Sequence, residues 1–218
     1  MNFQTVKNDP SIQTYIRCAD ESLKALGYTE HSFSHALVVA KTAGDLLKTL
    51  GADDRTVELA RIAGYLHDIG NLVNRVEHSQ SGAVMAFRLL DHLGFPAEEI
   101  AQITTAIGNH DEGTGTPVNN LAAALILADK SDVRRSRVRN ERTVNFDIHD
   151  RVNYSVTHSE LTVSPDQTQI DLRLSVDPHF SSVMEYFEIF MERMILCKKA
   201  AKKLNLEFRL SINDQQMI

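Results

Sequence analysis

Six side chains in this sequence have the types and spacings needed to hold metal ions: His35, His67, Asp68, His78, His110 and Asp129. Successive members stand 32, 1, 10, 32 and 19 positions apart. Imidazole nitrogens mixed with carboxylate oxygens suit Fe, Mn, Co, Ni or Zn better than Ca or Mg. Six donors exceed what one catalytic ion needs if it is to keep an open position, whereas two ions sharing a bridging carboxylate would use all of them. Asp68, adjacent to His67, is the natural bridge, and a hydroxide held between the ions is the natural nucleophile. The His-Asp pair occurs three times, at His67-Asp68, His110-Asp111 and His149-Asp150, so the dipeptide alone distinguishes nothing. Its position does.

The elements that must position these residues are mostly helices. Ile12, Ile16, Leu23 and Leu26 share one face of a helix that opens at Pro10 after Asp9 and ends at Gly27. A second helix is expected over 32–50, with Leu37, Val38, Leu46, Leu47 and Leu50 inward and His35 near its start. A third starts after Asp53-Asp54 and ends at His67-Asp68, with Gly70 as a C-terminal cap. An antiparallel pair then brings His35 and His67 to one end of a bundle. A fourth helix near 79–93 and a fifth from Pro96 to His110, closed by Gly113, repeat that relation for His78 and His110. The sixth holds the apolar run LAAALILA and then Asp129, a carboxylate that burial makes costly unless it has a partner such as a metal.

Beyond about residue 140 the period changes to two, in Val152, Tyr154 and Val156, in Leu161 and Val163, and in Ile170, Leu172, Leu174 and Val176, with SPDQTQ as a turn. A helix over 180–204 follows, with Val183, Phe187, Phe190, Met191, Met194 and Ile195 as its stripe, and then a last strand. The expected architecture is a mainly α protein: a helical metal-binding domain over 1–140 and a small C-terminal α+β subdomain over 141–218, built as hairpin, helix and strand.

Composition bounds the partners. The chain has 218 residues, 43% hydrophobic and 24% charged, with a formal net charge of −6 and a pI near 5.8. That balance disfavours a general nucleic-acid or anionic-membrane binder, so any phosphate site must be local. Cys18 and Cys197 are far apart and in no metal-ligand spacing, the N-terminus has no apolar signal core, and no run is long enough to span a bilayer. A cytoplasmic protein with free thiols is expected. The cluster KSDVRRSRVRN reads as a continuing helix; its Arg134 and Arg135 are candidates for gripping a substrate phosphate. His31, one turn before His35, is expected to line a cleft or to be exposed rather than to ligate, and His149-Asp150 to be structural.

The series HSFSHALVVA, GYLHDIGN, EHSQSGAVM, IGNHDEGTG and ALILADKSDVRRSR, across roughly residues 20–140, resembles the HD-domain metal-dependent phosphohydrolase superfamily. The resemblance implies an HD-type helical bundle in which His35, His67, Asp68 and Asp129 hold one metal. His78 and His110 match its six-ligand, dinuclear branch. It also implies two divalent transition-metal ions, Fe or Mn foremost, with Zn, Co, Ni or Mg as alternatives, and a small phosphorylated substrate, a nucleotide among them, rather than nucleic acid or membrane. Asp68, His110 and Asp111 are the expected catalytic groups, with Asn71, Arg134 and Arg135 at the substrate. This chain departs from the branch at Asn71, where cyclic-di-GMP phosphodiesterases and dinucleoside tetraphosphate hydrolases commonly carry lysine, and at Thr116, where the former have tyrosine in a Gly-Tyr-Pro motif. Two rival readings keep the fold: a di-iron oxygenase, and a module that binds a nucleotide without turnover. The C-terminal part is expected to mediate homodimerisation or to cover the cleft.

Overall fold

The computed structural model describes residues 1–139 and 148–218. Seven helices lead: α1 (Phe3–Lys7), α2 (Pro10–Ala25), α3 (Phe33–Thr49), α4 (Asp54–Leu66), α5 (His78–His92), α6 (Ala97–Gly108) and α7 (Asn120–Ser131). Then come α8 (Ile148–Ser155), β1 (Val156–Val163), β2 (Gln169–Val176), α9 (Val183–Lys203), β3 (Glu207–Ile212) and β4 (Gln215–Gln216). The protein is therefore mainly α with a small four-stranded sheet near its C-terminus. The domain boundary expected at 140/141 falls outside the described residues.

Side-chain caps fix where most helices begin. Asp9, Ser32, Asp53 and Asn119 each accept a backbone N–H from the first turn of α2, α3, α4 and α7. Ser182 and Glu185 form a reciprocal capping box on α9. Gly27, Gly51 and Gly94 follow α2, α3 and α5 with φ of 86°, 79° and 78°, conformations that suit glycine.

At the centre lies α7, whose residues Leu121–Ala128 are all buried. Its alanines at 122, 123, 124 and 128 keep it slim, and α3, α4, α6 and α9 all pack against it. The sheet runs β1-β2-β3-β4. β1 and β2 are an antiparallel hairpin, while β2 and β3 are parallel and joined through α9. Ile170, Leu172, Leu174, Phe208, Leu210 and Ile212 are buried, and α9 packs on β3.

Several expectations are corrected here. Of the alternating Val152, Tyr154 and Val156, the first two lie in helix α8 and only Val156 opens β1; Val152 and Val156 are four apart and equally fit one helical face. Val38, Met191 and Ile195 are exposed, so the apolar stripes of α3 and α9 are narrower than read. Gly70 is not a left-handed cap but sits in a 3-10 turn, Ile69–Leu72, while α6 stops at Gly108, well before Gly113. Nor does α7 continue through the arginine cluster. It ends at Ser131, Arg134 is extended at φ −159° and ψ 147°, and only Arg135–Arg137 form a 3-10 turn. The Asp132 carboxylate, claimed by both His35 and Arg134, draws the chain out of its helical path.

Candidate metal centre

Each ligand candidate reaches the centre from a helix end or its first turn. His35 lies in the first turn of α3, His67 follows α4, His78 opens α5, His110 follows α6, and Asp129 is in the last turn of α7. All four imidazoles are buried. The structure brings together all six side chains that the sequence picked out. His35 Nε2 lies 3.3 Å from His67 Nε2 and 3.3 Å from Asp129 Oδ1. On the other side, His78 Nε2 lies 3.2 Å from His110 Nε2. Asp68 stands between them: its Oδ2 is 3.2 Å from His67 Nε2 and 3.6 Å from His35 Nε2, while its Oδ1 is 3.4 Å from His78 Nε2. Donor atoms of His35, His67 and Asp129 fall within 4.8 Å of one another, as do those of His67, Asp68 and His110.

The opposite ring nitrogens decide what this arrangement needs. His67 Nδ1 faces Gly64 O at 2.8 Å, His78 Nδ1 faces Arg75 O at 3.1 Å, and His110 Nδ1 faces Ile107 O at 2.6 Å. A carbonyl only accepts, so these Nδ1 atoms donate and carry the ring proton. His35 Nδ1 is 2.7 Å from Asp132 Oδ2 and donates likewise. In the neutral rings four Nε2 lone pairs then converge on carboxylate oxygens, and only at the edge do donors reach them, Arg75 Nη1 at His78 Nε2 and the Asn71 amide at Asp68 Oδ1. The buried Asp68 Oδ2 has no hydrogen-bond partner among the described residues. A cation fits this set of donors and relieves the orphaned oxygen, and the Nδ1 contacts are the supports that orient histidine ligands.

The electrostatics agree. Burial opposes charge on His67, yet Asp68 and Asp129 overcome it and raise its pKa to about 10. Burial, reinforced by His67 and His78, pushes His110 far below its ordinary value. The pocket therefore favours positive charge between the carboxylates, which a divalent ion supplies more strongly than a proton. Asp129 divides its oxygens: Oδ1 faces the histidines, while Oδ2 is held by buried Lys130 Nζ at 2.8 Å. Lys130 also meets Glu112 at 3.1 Å, and Glu112 meets Arg193 of α9 at 2.5 Å.

The remaining sequence-predicted residues are placed as follows. Asn71 donates to the backbone oxygen of Asp68 at 2.9 Å and to its Oδ1 at 3.0 Å, so its amide orients the carboxylate between the two halves. Asp111 Oδ1 lies 3.9 Å from His78 Nε2, and its pKa is raised by burial first and by Glu112 second. Arg134 buttresses Asp132 at 2.7 Å, one step behind His35. Arg135 is not brought to the cluster: it donates to Tyr154 O and lies over the Tyr154 and Phe180 rings at 4.5 and 5.2 Å. His31 does line a cleft, with its ring 5.6 Å from that of His35.

Sequence reading missed Asp132, Glu112, Arg75 and Arg193. Arg75 Nη1 stands 3.4 Å from both Asn71 Oδ1 and His78 Nε2 and 4.0 Å from Asp68 Oδ1. It is thus a cation beside the position where Asn71 removes one. Its spacing of four from Asn71 was the available signal; Glu112 and Arg193 are 81 positions apart and gave none.

Helix ends of one bundle thus present four imidazoles and two carboxylates to one point, a set of donors that could hold a metal ion. The HD domain family model matches residues 32–134, a span containing all six of these side chains. An uncharacterized protein of Methanocaldococcus jannaschii is 26% identical over 207 residues, covering 84% of this chain and 79% of its own. Ribonuclease Y of Enterococcus faecalis is 31% identical over 122 residues, which are 55% of this chain but 21% of that enzyme. A solved structure described as a predicted HD superfamily hydrolase, from an uncultured Thermotogales bacterium, is 28% identical and aligns over 62% of this chain and 75% of its own, at a TM-score of 0.45. Among the described residues no helix is long and apolar enough to cross a membrane.

Proposed function

We propose that this chain is a metal-dependent phosphohydrolase that acts on a small phosphorylated compound of nucleotide size, in the cytoplasm. The observation that carries the reading is Asp68, whose two oxygens divide between the His35/His67 side and the His78 side. In this reading His35, His67 and Asp129 would hold one divalent ion and His78 and His110 a second, with Asp68 available to both. Such a pair supplies Lewis acidity toward a phosphoryl oxygen and lowers the pKa of a water toward neutrality.

The chain's own groups account for the rest. Asn71 fixes Asp68, and Asp132, itself held by Arg134, fixes His35. Arg75 offers a guanidinium to an anionic group placed next to Asp68. Asp111, half-buried with its pKa raised, can hold a proton for a departing oxygen. A phosphodiester target is suggested by the ribonuclease name of the relatives. The net charge of −6 and a neighbouring cavity of about 440 Å³ favour a small molecule instead.

Purified protein loaded with Mn²⁺ or Fe²⁺ is expected to release phosphate from one or more members of a nucleotide and sugar-phosphate panel, an RNA oligonucleotide being included. Asp68→Ala is expected to lower that rate at least about 10³-fold. No release from any member, or an unaltered rate in Asp68→Ala, overturns the reading. Oxygen consumption coupled to product formation would replace it with the di-iron oxygenase, and tight nucleotide retention without product with a binding module.

A further inference from the structure

The cavity of about 440 Å³ beside the cluster has three guanidinium groups in its wall, Arg75, Arg137 and Arg193, although the whole chain is acidic. Each is anchored through part of its fork only. Arg75 uses Nη1 toward Asn71, and its Nε and Nη2 have no partner among the described residues. Arg137 donates Nε to Glu30 O and Nη1 to Asp132 O, at 2.9 and 2.8 Å, and its Nη2 has no partner among the described residues. Arg193 is ion-paired with Glu112, Nε to Oε1 at 2.5 Å, and lies 4.4 Å over the Phe190 ring; its Nη groups make no hydrogen bond among the described residues. Among the described residues lining this cavity Asp150 is the acid against three arginines, of which Arg193 is also ion-paired with Glu112 from outside the lining.

We infer that the cavity receives a second anionic group of the substrate: the ligand carries two phosphate groups, one beside Arg75 at the His/Asp cluster, the other gripped by Arg137 and Arg193. Assigning the first of these sites rests on the hydrolase reading above; the second rests on the cavity itself. Two arginines set in one wall repel each other. Burial, and with it this repulsion, holds Arg137 below its ordinary pKa, and Asp132, Asp129 and Asp68 offset only part of it. An anion received between them removes that cost, and a planar fork with free Nη groups matches phosphate oxygens in pairs. A monophosphate with a neutral remainder would satisfy Arg75 and leave the other pair unmet.

The test is calorimetric binding to the full chain, metal-stripped and metal-loaded, with orthophosphate, pyrophosphate and fructose 1,6-bisphosphate as probes. One of the two diphosphorylated probes is expected to bind at least about tenfold tighter than orthophosphate, as one extra charge-assisted pair of bonds provides. Preference for pyrophosphate identifies adjacent phosphates, and preference for the bisphosphate identifies separated ones. Arg193→Gln is expected to reduce the ratio of diphosphate to orthophosphate affinity about tenfold. Arg193→Lys, which keeps the charge facing Glu112 but loses the fork, should reduce it by an intermediate factor and serves if the glutamine variant does not fold. Equal affinity for all three probes, or a ratio unchanged in both folded variants, overturns the inference. Because the metal-stripped protein is included, a diphosphate preference without any phosphate release would sink the hydrolase reading alone.

Discussion

Four Nε2 atoms and three carboxylate oxygens share one buried volume that Arg75 reaches only at its His78 edge, an arrangement that favours a cation at the centre, and the Nδ1 contacts close off the tautomer that would have eased it. The support behind His35 is the easiest of these to weaken. Asp132→Asn retains the shape but removes the charge that favours Nδ1–H, and it should lower metal affinity by about 10- to 100-fold, read from metal titration. An unchanged affinity would mean that Asp132 only shapes the loop. The His67 pKa gives a second prediction. Its folded value of about 10 lies above the ordinary 6.5, so in metal-stripped protein its proton stabilises the fold fully below about pH 6.5. That contribution is lost as pH rises through about 10, and Tm of the stripped protein should fall over this window. Metal-loaded protein should lack this alkaline loss, because the ion replaces the proton; parallel Tm profiles would contradict the assignment. The six candidate donors could be picked out because residue type and spacing reveal such side chains, and the fold brings them together. Asp132, Glu112 and Arg193 could not, because their roles arise from pairings across 97 and 81 positions that no local pattern encodes.

Helices set the distances between donors, and two glycines allow the helices to approach. A Cβ on Gly64 of α4 would stand 2.7 Å from the Ala40 Cα of α3, and one on Gly70 would stand 2.0 Å from His78 O and 2.4 Å from Gly82 N of α5. Backbone cannot yield to such overlaps without moving a whole element. Gly64→Ala should therefore part α3 from α4, carrying His35 away from His67, whereas Gly70→Ala should displace α5 and His78. Each is expected to cost on the order of 1–3 kcal/mol in denaturant unfolding. If the site has two halves, they should differ in metal content: Gly64→Ala weakens the His35/His67/Asp129 half, and Gly70→Ala removes the His78/His110 half while keeping the first. Identical metal profiles would speak against separable halves. Helix starts at Asp9, Ser32 and Asp53 were legible because their side chains serve as caps. The role of Gly70 was not, since a glycine at a helix end reads as a cap and a close approach appears only when the neighbouring helix is in place. Likewise the α8 segment carries a strand-like pattern because Val152 and Val156, four apart, fit both periods and Tyr154 between them completes the alternation.

At the scale of the molecule, the C-terminal part is tied to the metal-binding bundle by apolar packing of α9 on α7 and by one buried ionic bridge. Glu112, after α6, joins Lys130 of α7 to Arg193 of α9, with side-chain exposures of 15%, 6% and 28%. Burial alone would raise the Glu112 pKa, but Lys130 and Arg193 override it and hold the carboxyl well below its usual range. Removing the shared anion leaves two cations facing each other in a poorly solvated space. Glu112→Gln, which preserves volume, should destabilise the protein by about 3 kcal/mol in urea unfolding, at the low end for breaking a buried pair because Arg193 is partly solvated. Lys130 keeps Asp129 as a partner and neither imidazole pair is touched, so bound metal per chain should stay as in the unaltered protein. Substrate KM should rise, since Arg193 and Phe190 line the cavity and their helix loses its anchor to the bundle. A change below about 0.5 kcal/mol, the range of ordinary surface substitutions, would show that the apolar face of α9 alone, Phe190, Met194, Cys197 and Ala201, holds the two parts together.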